Sequence, residues 1–553
     1  MSDRNLVLTG FMGTGKSAVG RTIAARLQRE FVDTDQLIET RTGRSIPGVF
    51  AQEGEAHFRD LEAQVCRELS ASRGMVIATG GWTLGSPDNR SAMEVGGLIV
   101  CLRADAPTLI QRVGSTQGRP MLKDAAWQSR LRNLLGSRQR AYLSIPLQVN
   151  TACLSIDEVA DRVLALWESF AQTETPHALP VITDGDGYAV LVGEGLLDRT
   201  GPLVNGLGRW TTIAQVTDDV VAPLYADRLA TSLEHVNGQD NTSHPPLAHC
   251  VMPAGEVHKT LDTLAHLYTQ FLATGLDRSG LVLALGGGVV GDVAGFAAAT
   301  FMRGLPVVQV PTTLLAMVDA SVGGKTGVDL PVGKNLVGAF KQPALVVIDP
   351  TTLSTLPEAD LRAGMAEVVK AGVIGSPRLF ERLEQGNSDD TNVRSLDMTW
   401  IIRQAVAVKI EAVESDPYER GRRAVLNLGH TFGHAFEVLS DFQLRHGEAV
   451  AMGMVVAARL AVALGHCPPD VARRIGSLLG QMGLSDAIPD HDPATIWEAM
   501  MADKKKRGSR LRFVLPLGIG QVGLFDDVPR EAVIAVLTEI QQSATAADWS
   551  DST

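Results

Sequence analysis

The sequence predicts an α/β fold in more than one domain, with parallel sheets covered by helices and a helical lobe near the end. Its 553 residues are too many for a single hydrophobic core. Short apolar runs alternate with amphipathic runs, a pattern typical of parallel sheets with helices on both faces. A polar stretch with two prolines at 171–180 interrupts this alternation, and strand signals become rare after about Leu356. We therefore expect domains over 1–172, 181–350 and 351–545, with a linker at 173–180.

The composition indicates a folded protein rather than a disordered or membrane-spanning one. Hydrophobic residues make up 45% of the chain and charged residues 20%. The net charge of −12 argues against nucleic acid or an anionic membrane as a partner. No apolar run reaches the roughly 18 residues of a membrane span, and the start has no signal-peptide pattern. Five scattered cysteines without a CxxC pair fit reduced thiols, so we expect a cytoplasmic protein.

The first 172 residues alternate between strand-like and helix-like stretches. Strands are predicted at 5–9, 75–79 and 97–102, and helices at 17–27 and 155–170. The first strand runs straight into a glycine-rich loop. Ser155 and Glu158 form a capping-box pattern, which marks the start of the last helix. This order predicts a parallel sheet with helices on both faces.

The second unit begins with another α/β series and ends in helices. Strands are predicted at 211–216, 247–252, 281–285, 307–310 and 345–348. Long helical patterns follow at 361–374 and 400–413. The sequence thus predicts a Rossmann-like α/β lobe followed by a helical lobe.

The glycine-rich loop at 10–17 matches the phosphate-binding pattern GxxxxGK[ST] and lies between a strand and a helix. In such a loop backbone N–H groups, including those of Gly13 and Gly15, turn towards phosphate oxygens. Lys16 reaches the β- and γ-phosphates, and the Ser17 hydroxyl binds Mg²⁺. A glycine turn without a ligand is the alternative, and the strand–loop–helix context argues against it. ATP and Mg²⁺ are therefore the expected ligands.

An ordered set of residues after this loop makes the first domain resemble shikimate kinase. The set comprises Asp33, Asp35, the stretches 43–46 and 54–59, Gly80, Gly81, the tripeptide 118–120 and Arg138. The resemblance implies that Asp33 supports Mg²⁺ and that Asp35 binds the hydroxyl groups of shikimate. It implies that Arg59 and Arg138 hold the shikimate carboxylate, because a planar guanidinium suits a planar anion. It also implies substrate contacts for Gly80 and Gly81, and an ATP contact for Arg119 on a mobile lid.

The first domain departs from the shikimate kinase pattern at three places. Trp82 stands where the family has a third glycine, and an indole there predicts crowding where the backbone approaches the substrate. Arg138 is followed by Gln-Arg-Ala-Tyr rather than by a stretch ending in Pro-Leu-Tyr, and a later arginine near the adenine has no clear match. Two interpretations stay open: an active kinase, and a non-catalytic or re-targeted ATP-binding regulatory module.

The second unit carries a glycine turn and many basic residues. The stretch 281–292 is an apolar strand that ends in three glycines before a helix, which suits a pyrophosphate at the helix N-terminus. Basic residues are ordinarily surface charges, but several here have apolar or glycine-rich neighbours, where an unpaired charge is costly. A phosphorylated carboxylate substrate would supply the missing negative charge. These basic residues are Arg303, Lys325, Lys334, Lys370, Lys409, Arg423 and Lys505.

Three residues of the helical lobe are candidate metal ligands. Glu367, His430 and His446 offer one oxygen and two nitrogens, which suits Zn²⁺ with open positions for substrate oxygens. Histidines on separate helices are more often ordinary core or surface residues, so this hypothesis depends on context. His430 lies three residues after Asn427 and four before His434, which predicts that all three share one helical face.

Read in order, the motifs of the second unit are similar to those of 3-dehydroquinate synthase over residues 188–542. The resemblance implies that Glu367, His430 and His446 bind Zn²⁺ and that His434 contacts substrate or transfers protons. The other catalytic residues that it implies are Asp319, Lys325, Asn335, Lys370 and Lys409. The substrate-binding residues that it implies are Arg303, Arg423, Asn427 and Lys505. The NAD⁺ contacts that it implies are Gly255, Glu256, Lys259, Gly287, Gly288, Asp292, Thr312, Thr313, Lys325, Lys334 and Thr355.

The reaction implied for the second unit converts 3-deoxy-D-arabino-heptulosonate 7-phosphate into 3-dehydroquinate and phosphate. Two alternatives stay open: a metal-dependent polyol dehydrogenase, and a sugar-phosphate cyclase that makes a different carbocycle. A dehydrogenase would not need so many lysines and arginines, which argues against the first. The expected partners are small molecules, and the resemblance implies a homodimer through the synthase half.

Overall fold

The computed structural model describes residues 2–113, 126–184, 186–234, 245–386, 393–441, 443–485, 487–506 and 511–550. These residues form two α/β units with largely parallel sheets, followed by a helical lobe. The predicted fold class is confirmed.

The first unit is built on a five-stranded parallel sheet. Its elements are β1 (Asn5–Gly10), α1 (Lys16–Leu27), β2 (Phe31–Asp33), α2 (Thr34–Thr42), α3 (Ile46–Ala71), β3 (Val76–Ala78), α4 (Pro87–Gly96), β4 (Gly97–Arg103), α5 (Ala106–Val113), α6 (Trp127–Leu143), β5 (Leu147–Asn150) and α7 (Ile156–Phe170). The strand order is β2-β3-β1-β4-β5. Leu6, Val7 and Leu8 of the central strand are fully buried, as expected where helices cover both faces. The strands and helices predicted for this unit are confirmed, and the short strands β2 and β5 are additional.

The second unit contains a seven-stranded sheet. Its elements are β6 (His177–Thr183), β7 (Asp186–Val192), α8 (Thr200–Leu207), β8 (Ile213–Asp218), α9 (Ala222–Glu234), β9 (Leu247–Met252), α10 (Leu261–Ala273), β10 (Leu281–Gly286), α11 (Gly288–Thr300), β11 (Val307–Pro311), β12 (Lys325–Leu330), β13 (Gly333–Phe340) and β14 (Leu345–Ile348). The strand order is β6-β7-β14-β11-β10-β8-β9, and only the edge pair β6–β7 is antiparallel within it. The strands β12 and β13 form a separate hairpin.

The helical lobe packs around one apolar helix. Its elements are α12 (Glu358–Gly375), α13 (Pro377–Glu384), α14 (Met398–Ser415), α15 (His430–Leu439), α16 (His446–Ala463), α17 (Pro469–Gln481), α18 (Pro493–Lys506), β15 (Phe513–Gly518), β16 (Gln521–Phe525) and α19 (Arg530–Ser550). Within the described chain, α16 is the one helix long and apolar enough to cross a membrane. However, 72% of it is buried inside the protein, which is the position of a core helix. The helices predicted at 361–374 and 400–413 are confirmed.

The structure differs from the predicted linker at its second half. Residues 177–180 lie in β6, where His177 pairs with Val192 and Pro180 with Ala189. Prolines are tolerated in an edge strand, so Pro180 is compatible with β6, and Pro176 lies just before this strand. The pairing with β7 is a contact that the local sequence pattern does not reveal.

The first and second units share buried contacts. Val149 and Phe170 of the first unit belong to the same apolar cluster as Leu203 and Val204 of α8. Helix α8 approaches β5 so closely that a Cβ atom at Gly206 would lie 2.2 Å from the carbonyl oxygen of Gln148. Cutting the chain between the units would expose this apolar contact, so variants of either unit need to be made in the full chain.

Two candidate active sites

The phosphate-binding loop lies between β1 and α1 at the carboxyl edge of the first sheet. Gly13 and Gly15 have φ angles of +84° and +92°, conformations that favour glycine. The loop therefore turns its backbone inwards before α1 begins at Lys16. The Lys16 ammonium donates to the carbonyl oxygens of Gly10 and Phe11, at 2.9 and 3.1 Å. Lys16 thus lies folded across the loop in which a phosphate group would bind.

Two aspartates lie next to this loop. Ser17 Oγ donates to Asp33 Oδ2 at 2.6 Å, so the two groups expected to share Mg²⁺ are in contact. Asp33 Oδ1 also caps α2 by accepting from the backbone N–H of Asp35 at 3.1 Å. Asp35 Oδ1 is buried and has no hydrogen-bond partner among the described residues. Burial, reinforced by the charges of Asp33 and Glu62, raises the pKa of Asp35 to about 6.

Two arginines complete this site. Arg59 Nη1 donates to Glu62 Oε2 at 2.6 Å, and Arg59 Nη2 donates to Glu55 Oε1 at 2.8 Å. Arg138 is 6% exposed, and burial lowers the pKa of its guanidinium. Gly80 lies so close to the Asp35 carboxylate that a Cβ atom at Gly80 would be 2.7 Å from Asp35 Oδ1. The site thus combines a phosphate loop, an unpaired carboxylate oxygen and two guanidinium groups, and this arrangement suits a hydroxylated acid.

Sequence reasoning missed Glu62, which supports this site. Glu62 is 1% exposed, pairs with Arg59 and accepts a hydrogen bond from the Thr83 hydroxyl. It lies three residues after Arg59 on α3, a spacing that brings side chains together on a helix. This spacing was the available signal. Arg119, expected to contact ATP, lies outside the described residues.

A cluster of one carboxylate and two imidazoles lies in the helical lobe. Glu367 is buried within α12, while His430 and His446 are the first residues of α15 and α16. Glu367 Oε1 lies 3.8 Å from His430 Nε2 and 3.7 Å from His446 Nε2. The same oxygen is buried and has no hydrogen-bond partner among the described residues. An orphaned carboxylate oxygen beside two imidazole nitrogens fits a divalent cation such as Zn²⁺.

Close packing of α15 against α16 brings the two imidazoles together. Gly429, just before α15, has a φ of +80°, and a Cβ there would lie 2.6 Å from the carbonyl oxygen of Val450. A Cβ at Gly453 would lie 2.0 Å from the carbonyl oxygen of Gly429. Both glycines are therefore needed for this approach. The ring centres of His430 and His446 lie 5.1 Å apart as a result.

Hydrogen bonds on the far side orient both imidazoles. His446 Nδ1 lies 3.1 Å from Glu437 Oε1, and His430 Nδ1 lies 3.2 Å from the carbonyl oxygen of Leu428. An Nδ1–H that donates to these acceptors leaves the lone pair on Nε2 free for a metal. The other oxygen of Glu367 pairs with Lys370. Sequence reasoning missed Glu437, whose only signal was a carboxylate on the same helix as His430.

Neighbouring charges separate the pKa values of the two histidines. Burial, followed by the charge of Lys370 and the nearby imidazoles, lowers the pKa of His430 well below its usual range. Burial alone would also lower the pKa of His446, but the hydrogen bond to Glu437 and the charge of Glu367 raise it. A neutral His430 is the form that binds a metal.

Charged pairs surround this cluster. Lys409 is buried and donates to Asp319, and burial lowers the pKa of Lys409. Lys325 pairs with Glu419. Burial would raise the pKa of Glu419, but the charge and hydrogen bond of Lys325, with a hydrogen bond from Asn427, lower it. Sequence reasoning did not single out Glu419, which lies four residues before the predicted Arg423 and has no motif of its own.

Arg423 is 1% exposed and lies among backbone carbonyls. Its Nη1 donates to the carbonyl oxygens of Pro417 at 2.8 Å and Gly323 at 3.3 Å. Its Nε is buried without a hydrogen-bond partner among the described residues. Burial lowers the pKa of this guanidinium, so an anion beside it would be favourable.

A second group of charged residues lies beside the glycine turn of the second unit. Lys259 Nζ contacts Asp292 Oδ2 and Asn335 Oδ1, both at 2.6 Å. Burial raises the pKa of Asp292 to about 6, although the charge of Lys259 opposes the shift. Gly287 caps α11, and Thr312 N donates to the carbonyl oxygen of Gly286 at 3.0 Å. The structure therefore brings the glycine turn, the end of β11 and the buried lysine together.

The remaining predicted residues are distributed around these groups. Lys334 Nζ lies 3.9 Å from Glu256 Oε1, beside Gly255, which has a φ of +105°. Thr355 Oγ1 lies 2.6 Å from the Tyr225 hydroxyl. The other predicted residues described here are Gly288 at the start of α11, Thr313 near Gly287, His434 with its ring centre 5.4 Å from that of His430, and Arg303, which is exposed. The Lys505 side chain lies outside the described residues.

Two expectations differ from the structure. Asn427 is the last residue of a 3₁₀-helix (Arg422–Asn427), so the predicted single face with His430 and His434 is wrong. Gly429, with its positive φ, separates the two helices. Asn335 lies with Lys259 in the second charged group, and the catalytic role expected for it stays a prediction.

A cavity of about 440 Å³ lies at the carboxyl ends of β8 and β9. It is lined by Asp219, Val251, Met252, Pro253, Asp262, Thr263 and His266. Asp219 Oδ1 accepts from the backbone N–H of Ala254 at 2.9 Å. In open parallel sheets, ligands bind at this edge. Sequence reasoning missed Asp219, although an acidic residue three positions after a predicted strand was the available signal.

Comparison with known proteins identifies the relatives of both halves. Family models for the N-terminal and C-terminal parts of 3-dehydroquinate synthase match residues 249–363 and 364–506. The model for shikimate kinase matches residues 12–168. The 3-dehydroquinate synthase of Synechococcus sp. (strain CC9605) is 45% identical over 375 residues, which cover 67% of this chain and 99% of that protein.

Two solved structures are similar to different parts of the chain. One is 2-epi-5-epi-valiolone synthase from Streptomyces hygroscopicus subsp. jinggangensis 5008 with NAD⁺ and Zn²⁺ bound, at 28% identity and a TM-score of 0.58. The match covers 67% of this chain and 99% of the valiolone synthase chain. The other is shikimate kinase from Acinetobacter baumannii in complex with shikimate, at 34% identity and a TM-score of 0.29. The match covers 30% of this chain and 93% of the Acinetobacter baumannii kinase chain.

Proposed function

The chain belongs to the 3-dehydroquinate synthase family and carries a shikimate kinase domain at its start, and from this premise we propose two reactions of the shikimate pathway. The first is ATP-dependent 3-phosphorylation of shikimate. The second is cyclisation of 3-deoxy-D-arabino-heptulosonate 7-phosphate to 3-dehydroquinate with release of phosphate. The observation that carries the second reaction is the candidate metal cluster, Glu367 with His430 and His446, with the buried lysines Lys370 and Lys409 close to it.

In the kinase site, the loop glycines and Lys16 hold the ATP phosphates. Mg²⁺ held by Ser17 and Asp33 would neutralise charge on the phosphates during transfer. Arg59 and Arg138 bind the shikimate carboxylate, which leaves the ring hydroxyls facing Asp35. The unpaired Asp35 Oδ1 accepts the proton of the attacking hydroxyl while the bond from the γ-phosphorus to ADP breaks.

In the synthase site, the cofactors supply redox and Lewis-acid chemistry. Bound NAD⁺ would accept a hydride and return it, and Zn²⁺ would polarise the substrate hydroxyl that is oxidised. The residues that would hold NAD⁺ include Lys259, Asp292 and the N-terminus of α11, with Asp219 at the cavity beside β8 and β9. The residues that would hold Zn²⁺ are Glu367, His430 and His446.

The basic residues of the synthase site bind the charged substrate. In the pairs Lys409–Asp319 and Lys325–Glu419, each charge has an opposite charge beside it, which offsets part of the cost of burying Lys409. Lys370 adds positive charge next to the candidate metal ligand Glu367, and Arg423 adds positive charge near Asp319 and Lys409, where a phosphate and a carboxylate gain from it. His434 lies beside both metal-binding imidazoles and moves a proton to or from the substrate.

Product analysis tests the synthase proposal against its rivals. With heptulosonate phosphate and catalytic NAD⁺, the full chain is expected to release one phosphate per substrate without net NADH, and NMR should identify 3-dehydroquinate. Steady NADH production from glycerol would instead indicate a polyol dehydrogenase. A different carbocycle from another sugar phosphate would indicate another cyclase.

Asp35→Asn is expected to abolish most kinase activity yet stabilise the ligand-free protein. The pKa of Asp35 is raised from 3.8 to about 6, so the folded protein binds the Asp35 proton more tightly than the unfolded chain does. Stability therefore falls as pH rises through this window and stays lowered above about pH 6. Asparagine removes this penalty but cannot accept the substrate proton, so kcat/KM for shikimate should fall roughly 100-fold or more.

Thermal unfolding without Mg²⁺ or ATP measures the stability effect of Asp35→Asn. The melting temperature should rise at about pH 8 and change less at about pH 4. Asp60→Asn, an exposed change on α3, is the matched control and should have little effect. A lower melting temperature at both pH values would contradict the prediction.

Glu437→Gln is expected to weaken metal binding roughly 10- to 100-fold, because it removes the charge that orients His446. Competition with a chelator measures this directly, independently of turnover. Glu411→Gln, an exposed change on α14, is the control and should leave metal affinity unchanged. Equal metal affinity in both variants would exclude Glu437 as the residue that orients His446.

A further inference from the structure

An aromatic cage surrounds one of the carboxylate-binding arginines of the kinase site. The Arg138 guanidinium carbon lies 4.6 Å from the ring centre of Trp82 and 5.8 Å from that of Phe11. Tyr142 meets both rings edge-on, at 6.1 Å from Trp82 and 6.5 Å from Phe11. We call Phe11, Trp82 and Tyr142 the cage. Arg138 is therefore held between two ring faces at only 6% exposure.

The cage suits a buried planar cation. Burial lowers the pKa of Arg138, so its surroundings disfavour the charge that must meet a carboxylate. Ring faces are negative at their centres and offset part of this cost without adding an acid that would compete with the substrate. A guanidinium stacked between rings also keeps a fixed plane, which a two-point contact with a carboxylate requires.

The indole of Trp82 is fixed by its own neighbours. It covers Gly85 so closely that a Cβ there would lie 2.3 Å from Trp82 Cε2. Gly85 ends the short 3₁₀-helix Thr83–Gly85, and its N–H donates to the carbonyl oxygen of Trp82 at 2.9 Å. The Tyr142 hydroxyl donates to the carbonyl oxygen of Gly81 and ties this turn to α6, the helix that carries Arg138.

We propose that Trp82 is a positioning residue that fixes the plane of Arg138 for the carboxylate of the acceptor. Trp82 stands where the kinase family has glycine, so this support is a property of the present chain. The indole contacts Gly85, Arg138 and Tyr142, and through them it acts on acceptor binding rather than on phosphoryl transfer. The inference rests on the proposed kinase function.

Steady-state kinetics of the full chain with ATP and shikimate test this role. Trp82→Gly should raise KM for shikimate about 10-fold, while kcat and KM for ATP stay within about threefold. Trp82→Phe keeps a ring face and should restore KM for shikimate to within about threefold of the unchanged chain. An unchanged kcat and an unchanged KM for ATP report that the kinase domain of each variant is folded.

Two further variants separate positioning from general packing. Gly85→Ala displaces the indole without deleting it and should raise KM for shikimate as Trp82→Gly does. In an Arg138→Lys background, where the cation is no longer planar, Trp82→Gly should change KM for shikimate by less than about threefold.

The outcomes distinguish the two proposals. An unchanged KM for shikimate in Trp82→Gly would overturn the positioning role, as would an equal rise in KM for ATP. A chain that does not phosphorylate shikimate even before substitution would overturn the kinase function, and the positioning role with it.

Discussion

Lys16→Ala is expected to lower shikimate phosphorylation roughly 10³-fold and to leave the synthase rate within about twofold. Lys16 begins α1 at the phosphate loop, and its ammonium lies over the carbonyl oxygens that line the loop. In the working enzyme, this charge would shift to the β- and γ-phosphates, where charge develops as the phosphoryl group leaves. Shikimate-dependent ADP formation and phosphate release from heptulosonate phosphate, measured on the same sample, follow the two sites separately.

Arg21→Ala is the matched control for Lys16→Ala. It removes a positive charge from the exposed side of the same helix, so phosphorylation should stay within about twofold. Loss of both activities in Lys16→Ala would mean that the sites are not independent, despite lying in separate units. The apolar contact between β5 and α8 makes this outcome physically possible, which is why the synthase readout is included.

His430→Ala is expected to lower the synthase rate and to spare shikimate phosphorylation, the reverse of Lys16→Ala. It removes one of three candidate ligands and leaves the orphaned oxygen of Glu367 with one imidazole. Bound metal should be lost on dialysis, and phosphate release should fall at least about 10³-fold. Shikimate phosphorylation should stay within about twofold, because α15 does not contribute to the kinase site.

His249→Ala is the control for His430→Ala. His249 is an exposed histidine on β9, and its loss should change neither metal content nor phosphate release. Full metal content in His430→Ala would contradict the assignment of the cluster. Normal phosphate release without metal would contradict a metal-dependent synthase.

The sequence predicted the parts of the sites whose chemistry is local. Residues 10–17 identify the phosphate loop because the glycines, Lys16 and Ser17 act within one turn. Buried parallel strands such as β1 and β10 were found because they are continuous apolar runs. The capping box of Ser155 and Glu158 also formed as predicted.

Contacts between distant segments were not predictable in the same way. Glu437 and Glu419 each support a predicted residue, but no spacing pattern identifies an acid by the partner it meets in the fold. Glu367 and His430 are far apart in sequence, and the positive φ of Gly429, which lets α15 approach α16, is a backbone property. The resemblance to 3-dehydroquinate synthase predicted these metal ligands. Their spacing alone does not distinguish them from ordinary core or surface residues.

Several of the strands that the sequence missed lie at the edge of a sheet or in a separate hairpin, among them β6, β12 and β15. Most residues of β6 and β13 are partly or fully exposed, so the hydrophobic signal of these two strands is weak, and long-range packing decides their structure. For this reason the linker predicted at 173–180 included residues 177–180, which lie in β6.

ATP-dependent phosphorylation of shikimate by the full chain decides between the two interpretations of the first unit. We expect phosphorylated shikimate and equimolar ADP, with turnover lost in Lys16→Ala and retained in His430→Ala. A folded chain that binds ATP and releases phosphate from heptulosonate phosphate, yet leaves shikimate unchanged, would contradict this expectation. The first unit would then be an ATP-binding regulatory module attached to a synthase.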